Sequence, residues 1–271
     1  MFRVGLSSST ISNTNHNDAT AAIKIWVQTV INEKKLNETA EAMFFNSFET
    51  LSQAYKNNMV DAASISTEDS MRLGLTPKSV YLSTREDGFL IKYAIIVHRN
   101  TVDKELGKLV NKKLVTCEGY QMLLARLWLK SVLTEHVSGA DNSRLENLIN
   151  VESPAKAILQ IFFRQADAAI VTTGAFELAC ELNPQLRKDI IILSVSPPFI
   201  TSFLIFRENW QSPSRERMTS AMLTLQTTPG GRQVLNVFQS SRMEKHPGTI
   251  LDSTRQFLKK NQHLLQNGPF K

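Results

Sequence analysis

The sequence has little cysteine, no long apolar run and no block of one charge, and each shortage closes off a class of protein. Only Cys117 and Cys180 occur in 271 residues. Two cysteines make no disulfide framework, and neither belongs to a Cys-x-x-Cys pair of the kind that holds zinc or runs redox chemistry. Whether the two bridge each other is left open by the sequence. No apolar stretch reaches the roughly 20 residues of a membrane-spanning helix. Gly-x-Gly-x-x-Gly, the Walker phosphate loop and His-Glu-x-x-His are all missing. The histidines, His16, His98, His136, His246 and His263, are widely spaced and show no local metal-ligand pattern. No metal and no cofactor are expected. Catalysis is not expected either, since Ser8 and Ser9 have no base near them in sequence to activate a hydroxyl. Lys plus Arg is 31 and Asp plus Glu is 25, a net +6, and the basic residues are scattered apart from Lys34-Lys35, Lys112-Lys113 and Lys259-Lys260. Scattered charge makes a solvated surface. A weak positive field suits a small anion and argues against nucleic acid as a partner.

What the chain does have is enough apolar residue, 42%, for ordinary globular cores. Its length suits one large domain or two small ones. The organising feature is an echo. Asp61-Ala62-Ala63-Ser64-Ile65-Ser66-Thr67 and Asp167-Ala168-Ala169-Ile170-Val171-Thr172-Thr173 both read Asp-Ala-Ala, a β-prone run, then two hydroxyl residues. They stand roughly one hundred residues apart, about one lobe of a compact domain. Each follows a helical pattern and precedes another helix start.

Taken in order, Phe2–Leu6 is a strand running into Ser7-Ser8-Ser9-Thr10. Asn17 or Asp18 can cap a helix with Ile23, Trp26, Val27, Val30 and Ile31 on one face. Ala42–Phe45 is the second strand, and Asn46 with Glu49 can form a capping box over the helix of Phe48, Leu51 and Tyr55. The first Asp-Ala-Ala strand follows, with Ser66 or Thr67 as the next cap. Val80–Ser83 and Leu90–Val97 are further strands. A second β-α-β-α-β unit then begins with Lys113–Thr116 and the turn Cys117-Glu118-Gly119-Tyr120. Its helix carries Leu123, Leu124, Leu127, Trp128, Val132 and Leu133. Leu148–Val151 is a strand, Ser153-Pro154 reads as N-cap and N1, and Thr172-Thr173-Gly174 opens the helix that Pro184 stops. The stretch from Pro213 onward is mostly helical, broken at Pro229-Gly230-Gly231. The expected fold is α/β with two lobes, each a mostly parallel sheet flanked by helices. Residues 1–95 plus 200–271 form lobe I and 96–199 lobe II. Extended segments near Ile91–His98 and Val195–Phe206 make a hinge with a cleft between the lobes.

Several of these pieces, in this order, carry a resemblance: the strand Phe2–Leu6, Asp61-Ala62-Ala63, Leu106-Gly107 followed by Lys113-Leu114-Val115, Asp167-Ala168-Ala169 with Thr173, and Thr228-Pro229-Gly230-Gly231-Arg232. The chain resembles the type II periplasmic solute-binding proteins, in particular the phosphate/phosphonate-binding (PhnD-like) branch of ABC transporters. The resemblance implies a periplasmic or extracytoplasmic monomer, its signal peptide removed, that captures a small phosphonate- or phosphate-like anion by hinge closure. It passes that anion to a transporter permease. The resemblance places the ligand against hydroxyls and backbone N–H groups at helix N-termini, where free donors and the positive dipole end favour an oxyanion. The matching positions are Ser7, Ser8, Ser9, Thr10, Asn46, Ser47, Ser66 and Thr67 on one side, and Cys117, Glu118, Gly119, Tyr120, Thr172 and Thr173 on the other. All lie at expected strand C-termini, where ligands gather in open α/β sheets. Tyr93 and Tyr120 are candidates for aromatic contact, set against the commoner core tyrosine. Any single hydroxyl here is more often a cap than a ligand.

One position departs from the pattern. The family's phosphonate binders have a Ser/Thr-rich turn where this chain has Cys117-Glu118-Gly119-Tyr120-Gln121. A carboxylate facing the ligand there repels a phosphonate unless it points away or is paired. The alternative is therefore a ligand-sensing regulatory domain of the same fold, with a zwitterionic or neutral ligand.

Overall fold

The computed structural model describes residues 1–7, 10, 21, 24–25, 28, 39–86, 88–102, 104–136, 148–210, 212 and 215–266. The cap and apolar face expected for the helix around Ile23–Ile31 lie outside these residues, as do Ser8 and Ser9. Lys24, Ile25 and Gln28 are helical.

The chain divides into two compact units. The first comprises Met1–Phe89 and Ile200–Arg255, the second Leu90–Phe199 and Gln256–Lys271. The closing stretch from Gln256 thus counts with the second unit, where the sequence places all of 200–271 with the first. Its anchors explain why. The Phe257 ring lies 4.6 Å from that of Phe199, Leu258 and Leu264 are buried, and Lys260 Nζ lies 3.1 Å from Glu135 Oε1.

The first unit is built on six strands in the order β11-β4-β10-β3-β1-β2. They are β1 (Phe2–Ser7), β2 (Ala40–Phe45), β3 (Ala62–Ser66), β4 (Ser79–Thr84), β10 (Ser202–Phe206) and β11 (Arg242–Pro247). Side chains alternate across a strand, and the two faces take different cores. Val4, Leu6, Ala62, Tyr81 and Phe206 pack with Met218 and Met222 of α7 (Arg215–Leu223). Ala63, Ile65, Val80, Leu82 and Ile205 pack with Leu51 and Ala54 of α1 (Phe48–Lys56). The short α2 (Thr67–Arg72) follows β3.

The second unit has five strands in the order β7-β6-β8-β5-β9. They are β5 (Tyr93–His98), β6 (Leu114–Cys117), β7 (Leu148–Val151), β8 (Ala168–Thr172) and β9 (Ile190–Val195). Ala94, Ile96, Val115, Ala169 and Val171 face Ile158 and Ile161 of α4 (Pro154–Phe162) and Phe176 and Cys180 of α5 (Thr173–Leu182). The helix α3 (Ala125–His136) joins β6 to β7, and α6 (Pro184–Asp189) leads into β9. The tail adds α8 (Pro229–Val237), α9 (Asp252–Lys260) and α10 (Gln262–Gln266). Pro229-Gly230-Gly231 does more than break a helix: Thr228 caps α8 by accepting from Gly231 N–H at 3.1 Å, with proline at the first helical position.

Both sheets are mixed rather than mostly parallel. β1, β2 and β3 run parallel, as do β6, β7 and β8, the arrangement that helical crossovers impose. β10 lies antiparallel to β3 and β5 antiparallel to β8. These are the strands on which the chain enters each unit, without a crossover helix to set it parallel.

Written from the same end, the two sheets correspond strand for strand. β2-β1-β3-β10-β4 of the first unit matches β7-β6-β8-β5-β9 of the second. The Asp-Ala-Ala echo falls on β3 and β8, and its hydrogen bonds repeat as well. Asp61 accepts Arg3 N–H at 2.9 Å and returns its own N–H to Arg3 O at 2.8 Å. Asp167 accepts Lys113 N–H at 2.8 Å and returns its own to Lys113 O at 2.9 Å. At the other end of each strand, Thr67 N–H reaches Thr201 O and Thr173 N–H reaches Lys92 O, both at 2.9 Å.

Candidate functional site

Within each unit the C-terminal ends of the parallel strands lie side by side, and β1, β3 and β8 end in a hydroxyl residue. In the first unit Ser7 ends β1 beside Phe45 of β2. Thr10 Oγ1 donates to Ser7 O at 2.8 Å and receives Ser64 Oγ at 3.0 Å. Ser66 ends β3 and caps α2, accepting Asp69 N–H at 2.9 Å. Asn46 is exposed just past β2, but the cap of α1 is Ser47, which accepts Thr50 N–H at 3.3 Å. The expected Asn46–Glu49 capping box is therefore shifted by one residue, because Ser47 holds the extended backbone that a cap requires. Thr67 is wholly buried and donates its hydroxyl hydrogen to Ile200 O. It fastens the start of α2 to the segment before β10 and offers no further proton.

In the second unit Thr172 ends β8 and caps α5, accepting Ala175 N–H at 3.2 Å. As an acceptor in that bond its hydroxyl keeps its own hydrogen to donate. Thr173 is half-buried beside it. Ser153 at the end of β7 caps α4, accepting Lys156 N–H at 3.2 Å. It is the counterpart of Ser47, and the sequence reading named it only as a cap. The strand correspondence with Ser47 is the signal that singles out Ser153.

The turn after β6 is built differently. Gly119 has φ 147°, a backbone state that L side chains rarely adopt. Glu118 is exposed, and its Oε1 accepts Asn150 Nδ2 at 2.6 Å. Asn150 Oδ1 in turn accepts an Arg126 guanidinium N–H at 2.7 Å. The carboxylate is thus tied toward β7 and linked through one amide to a cation. Tyr120 is half-buried, its hydroxyl accepting Gln121 Nε2 at 3.0 Å. Tyr93 does not offer its ring. It is completely buried, between Trp128 and Phe199 with centroids 6.0 and 5.8 Å away. Burial pushes its phenol well above the usual tyrosine range.

Electrostatics separates the two sets of helix starts. The first turn of α1 carries Glu49, and that of α2 carries Glu68 and Asp69. Burial raises the affinity of Glu68 and Asp69 for protons. The first turns of α4 and α5 hold no acid. Thr173 N–H is taken by Lys92 O and Ala175 N–H by Thr172 Oγ1, so what α5 offers an anion is its positive dipole end, with the Gly174 N–H between them.

Cys117 ends β6 as a buried free thiol, and Cys180 is likewise free and buried. Burial pushes the Cys117 thiol up to about 11 and raises Cys180 too. Thiolate is the reactive form, so at pH 8 the native protein should resist iodoacetamide and take up two labels once unfolded, read by intact mass. Among the described residues no group of three or more His, Cys, Asp or Glu could hold a metal ion. No described helix is long and apolar enough to cross a membrane. Two surface grooves of the first unit, about 470 and 740 Å³, lie elsewhere. They flank Pro77 and Phe206, at the opposite end of the strands from Ser66.

Comparison with known proteins fits this geometry. A family model described as "ABC transporter, phosphonate, periplasmic substrate-binding protein" matches residues 11–246. No curated protein sequence matches. Among solved structures, XAC2383 from Xanthomonas citri, bound to chloride ion, is 13% identical with TM-score 0.67, over 98% of this chain and 99% of that one. PhnD1 from Prochlorococcus marinus, in complex with methylphosphonate, is 14% identical with TM-score 0.62, over 98% of each chain. A binding-protein component of an ABC phosphonate transporter from Pseudomonas aeruginosa is 13% identical with TM-score 0.59, over 99% of this chain and 89% of that one. At these identities the structures speak to fold: a two-unit α/β architecture of the type II periplasmic-binding class.

Proposed function

The chain belongs to the periplasmic phosphonate-binding family of ABC-transporter substrate-binding proteins, and from that premise we propose that its own ligand is a small phosphonate- or phosphate-class oxyanion. The observation that carries the reading is the start of α5. Thr172 ends a fully buried strand, keeps a hydroxyl hydrogen to donate, and opens a ten-residue helix with no acid in its first turn. A helix start of that kind offers an oxyanion a fixed hydroxyl donor and a positive dipole end at little reorganisation cost. Glu118, held by Asn150, leaves the neighbouring turn compatible with negative charge. Ser7, Ser66, Gly119, Tyr120 and Thr173 are proposed as the remaining contacts, with Asn46 and Thr10 at the margin and Tyr93 and Thr67 as supports.

Membership implies a small-molecule ligand, a permease partner and an extracytoplasmic location. We read the protein further as a monomeric carrier without catalytic activity and without a nucleic-acid partner. Phosphate, methylphosphonate, 2-aminoethylphosphonate and ethanesulfonate, titrated by calorimetry, test the ligand class. At least one phosphorus oxyanion is expected to bind, and silence across the panel overturns the reading. Thr172→Ala should then weaken the best binder roughly 10- to 100-fold, the range for losing a hydrogen bond to a charged group. The cap itself costs about 1 kcal/mol of stability. Thr172→Ser should restore binding. An unchanged affinity in the alanine variant reduces Thr172 to a cap.

A further inference from the structure

We infer that Tyr93 is a positioning residue of the binding site, holding the Gly119–Leu124 turn in the shape in which that turn meets ligand. The inference rests on the reading of that turn and Thr172 as ligand-facing. Four helices that begin at strand ends, α1, α2, α4 and α5, are each capped by a hydroxyl at the end of their own strand: Ser47, Ser66, Ser153 and Thr172. The turn after β6 lacks this device. Its 3-10 stretch Tyr120–Met122 has no side-chain cap, and it begins at Gly119, a residue with the widest backbone freedom.

Tyr93 supplies the missing bonds from another strand. Its hydroxyl donates to Gln121 O at 2.7 Å and accepts Leu124 N–H at 3.3 Å, one residue before α3. Both capacities of one phenol therefore go to the backbone of the turn. The ring cannot swing away, since it is fully buried against Trp128 and Phe199. The main chain of the same residue is fixed as well. Tyr93 N–H donates to Ser196 Oγ at 2.8 Å, and Ser196 N–H returns to Tyr93 O at 2.9 Å. Tyr93 pairs in register with Thr172, and the preceding Lys92 O accepts Thr173 N–H at 2.9 Å. One residue thus braces the β6 turn through its side chain and sits beside the start of α5 through its backbone. Loosening the turn lowers the fraction of molecules with a competent site, and apparent affinity falls by that fraction.

Tyr93→Phe removes the hydroxyl and leaves the ring packing. Methylphosphonate affinity is expected to fall about tenfold, chiefly through faster dissociation, and amide exchange at residues 120–124 of the ligand-free variant should rise. Thr254→Val, which deletes a buried hydroxyl bond to Ile200 N–H in the first unit and touches neither Tyr93 nor the turn, is the control for a purely structural effect and should keep wild-type affinity. Equal affinity losses in the two variants, or none in Tyr93→Phe, overturn the inference. In the unmodified protein, methylphosphonate should raise exchange protection at 121–124, and unchanged protection there overturns it too, whether or not the variant folds. Failure of the unmodified protein to bind any of phosphate, methylphosphonate and 2-aminoethylphosphonate would instead sink the ligand reading on which this one stands.

Discussion

Replacing Gly248 with alanine should lower the melting temperature by roughly 10 °C, the consequence of about 3 kcal/mol lost to overpacking. A Cβ at this position would stand 1.7 Å from Pro77 O and 2.9 Å from Pro77 C. Both are backbone atoms, so no rotamer change relieves the clash. The contact is fixed from two sides, because Gly248 N–H donates to Lys78 O at 3.0 Å as β11 ends beside the start of β4. The chain must open the β4–β11 pair or lose that bond. Differential scanning calorimetry reads the result, and a melting temperature within 2 °C of wild type, about the effect of a neutral surface change, would refute the close approach.

Asp61→Ala should be at least as damaging and far more so than its twin. Asp61 is 2% exposed and meets two guanidinium groups, Arg3 Nη2 at 3.1 Å and Arg207 Nη2 at 3.0 Å, besides Arg3 N–H. Removing one partner of a buried ionic cluster leaves the others uncompensated, which costs about 3–5 kcal/mol. Asp167 holds the matching backbone bond to Lys113 but is exposed. Asp167→Ala should cost about 1 kcal/mol, the net worth of an ordinary hydrogen bond. Urea unfolding of the two variants compares them directly. Equal losses would mean that the arginines around Asp61 add nothing to the bond that both aspartates share.

That contrast shows how far a sequence repeat can be read. The letters Asp-Ala-Ala announced two equivalent strands, and the helix periods around them, with Ser153-Pro154 and Thr172, located the caps. These are local signals: a cap, a proline at the first helical turn and an alternating strand all act within a few residues. What surrounds Asp61 is not local. Arg207 reaches it from just past the end of β10, remote in sequence, so nothing near Asp61 in the chain distinguishes it from Asp167. The same holds for Tyr93. Its bonds to Gln121 and Leu124 depend on which strands neighbour which, and its aromatic character alone suggested ligand contact. Glu118 looked hostile to an oxyanion until Asn150, on the adjacent strand, was seen to hold it. The mixed sheets were hidden for a related reason. Strand periodicity shows that β5 and β10 exist, but their direction follows from the end at which the chain enters each unit.

The passage of the chain at Arg255–Gln256 has a practical meaning for anyone who wishes to move these parts. The second unit cannot be excised as the single stretch from Leu90 to Phe199. Phe257, Leu258 and Leu264 come with it, and Phe199 would otherwise lose the tilted ring packed against it. A transplant or chimera must carry two pieces of gene, with α9 as the splice through which both are held. A permutation that joins the tail to Leu90 would turn the second unit into one continuous module.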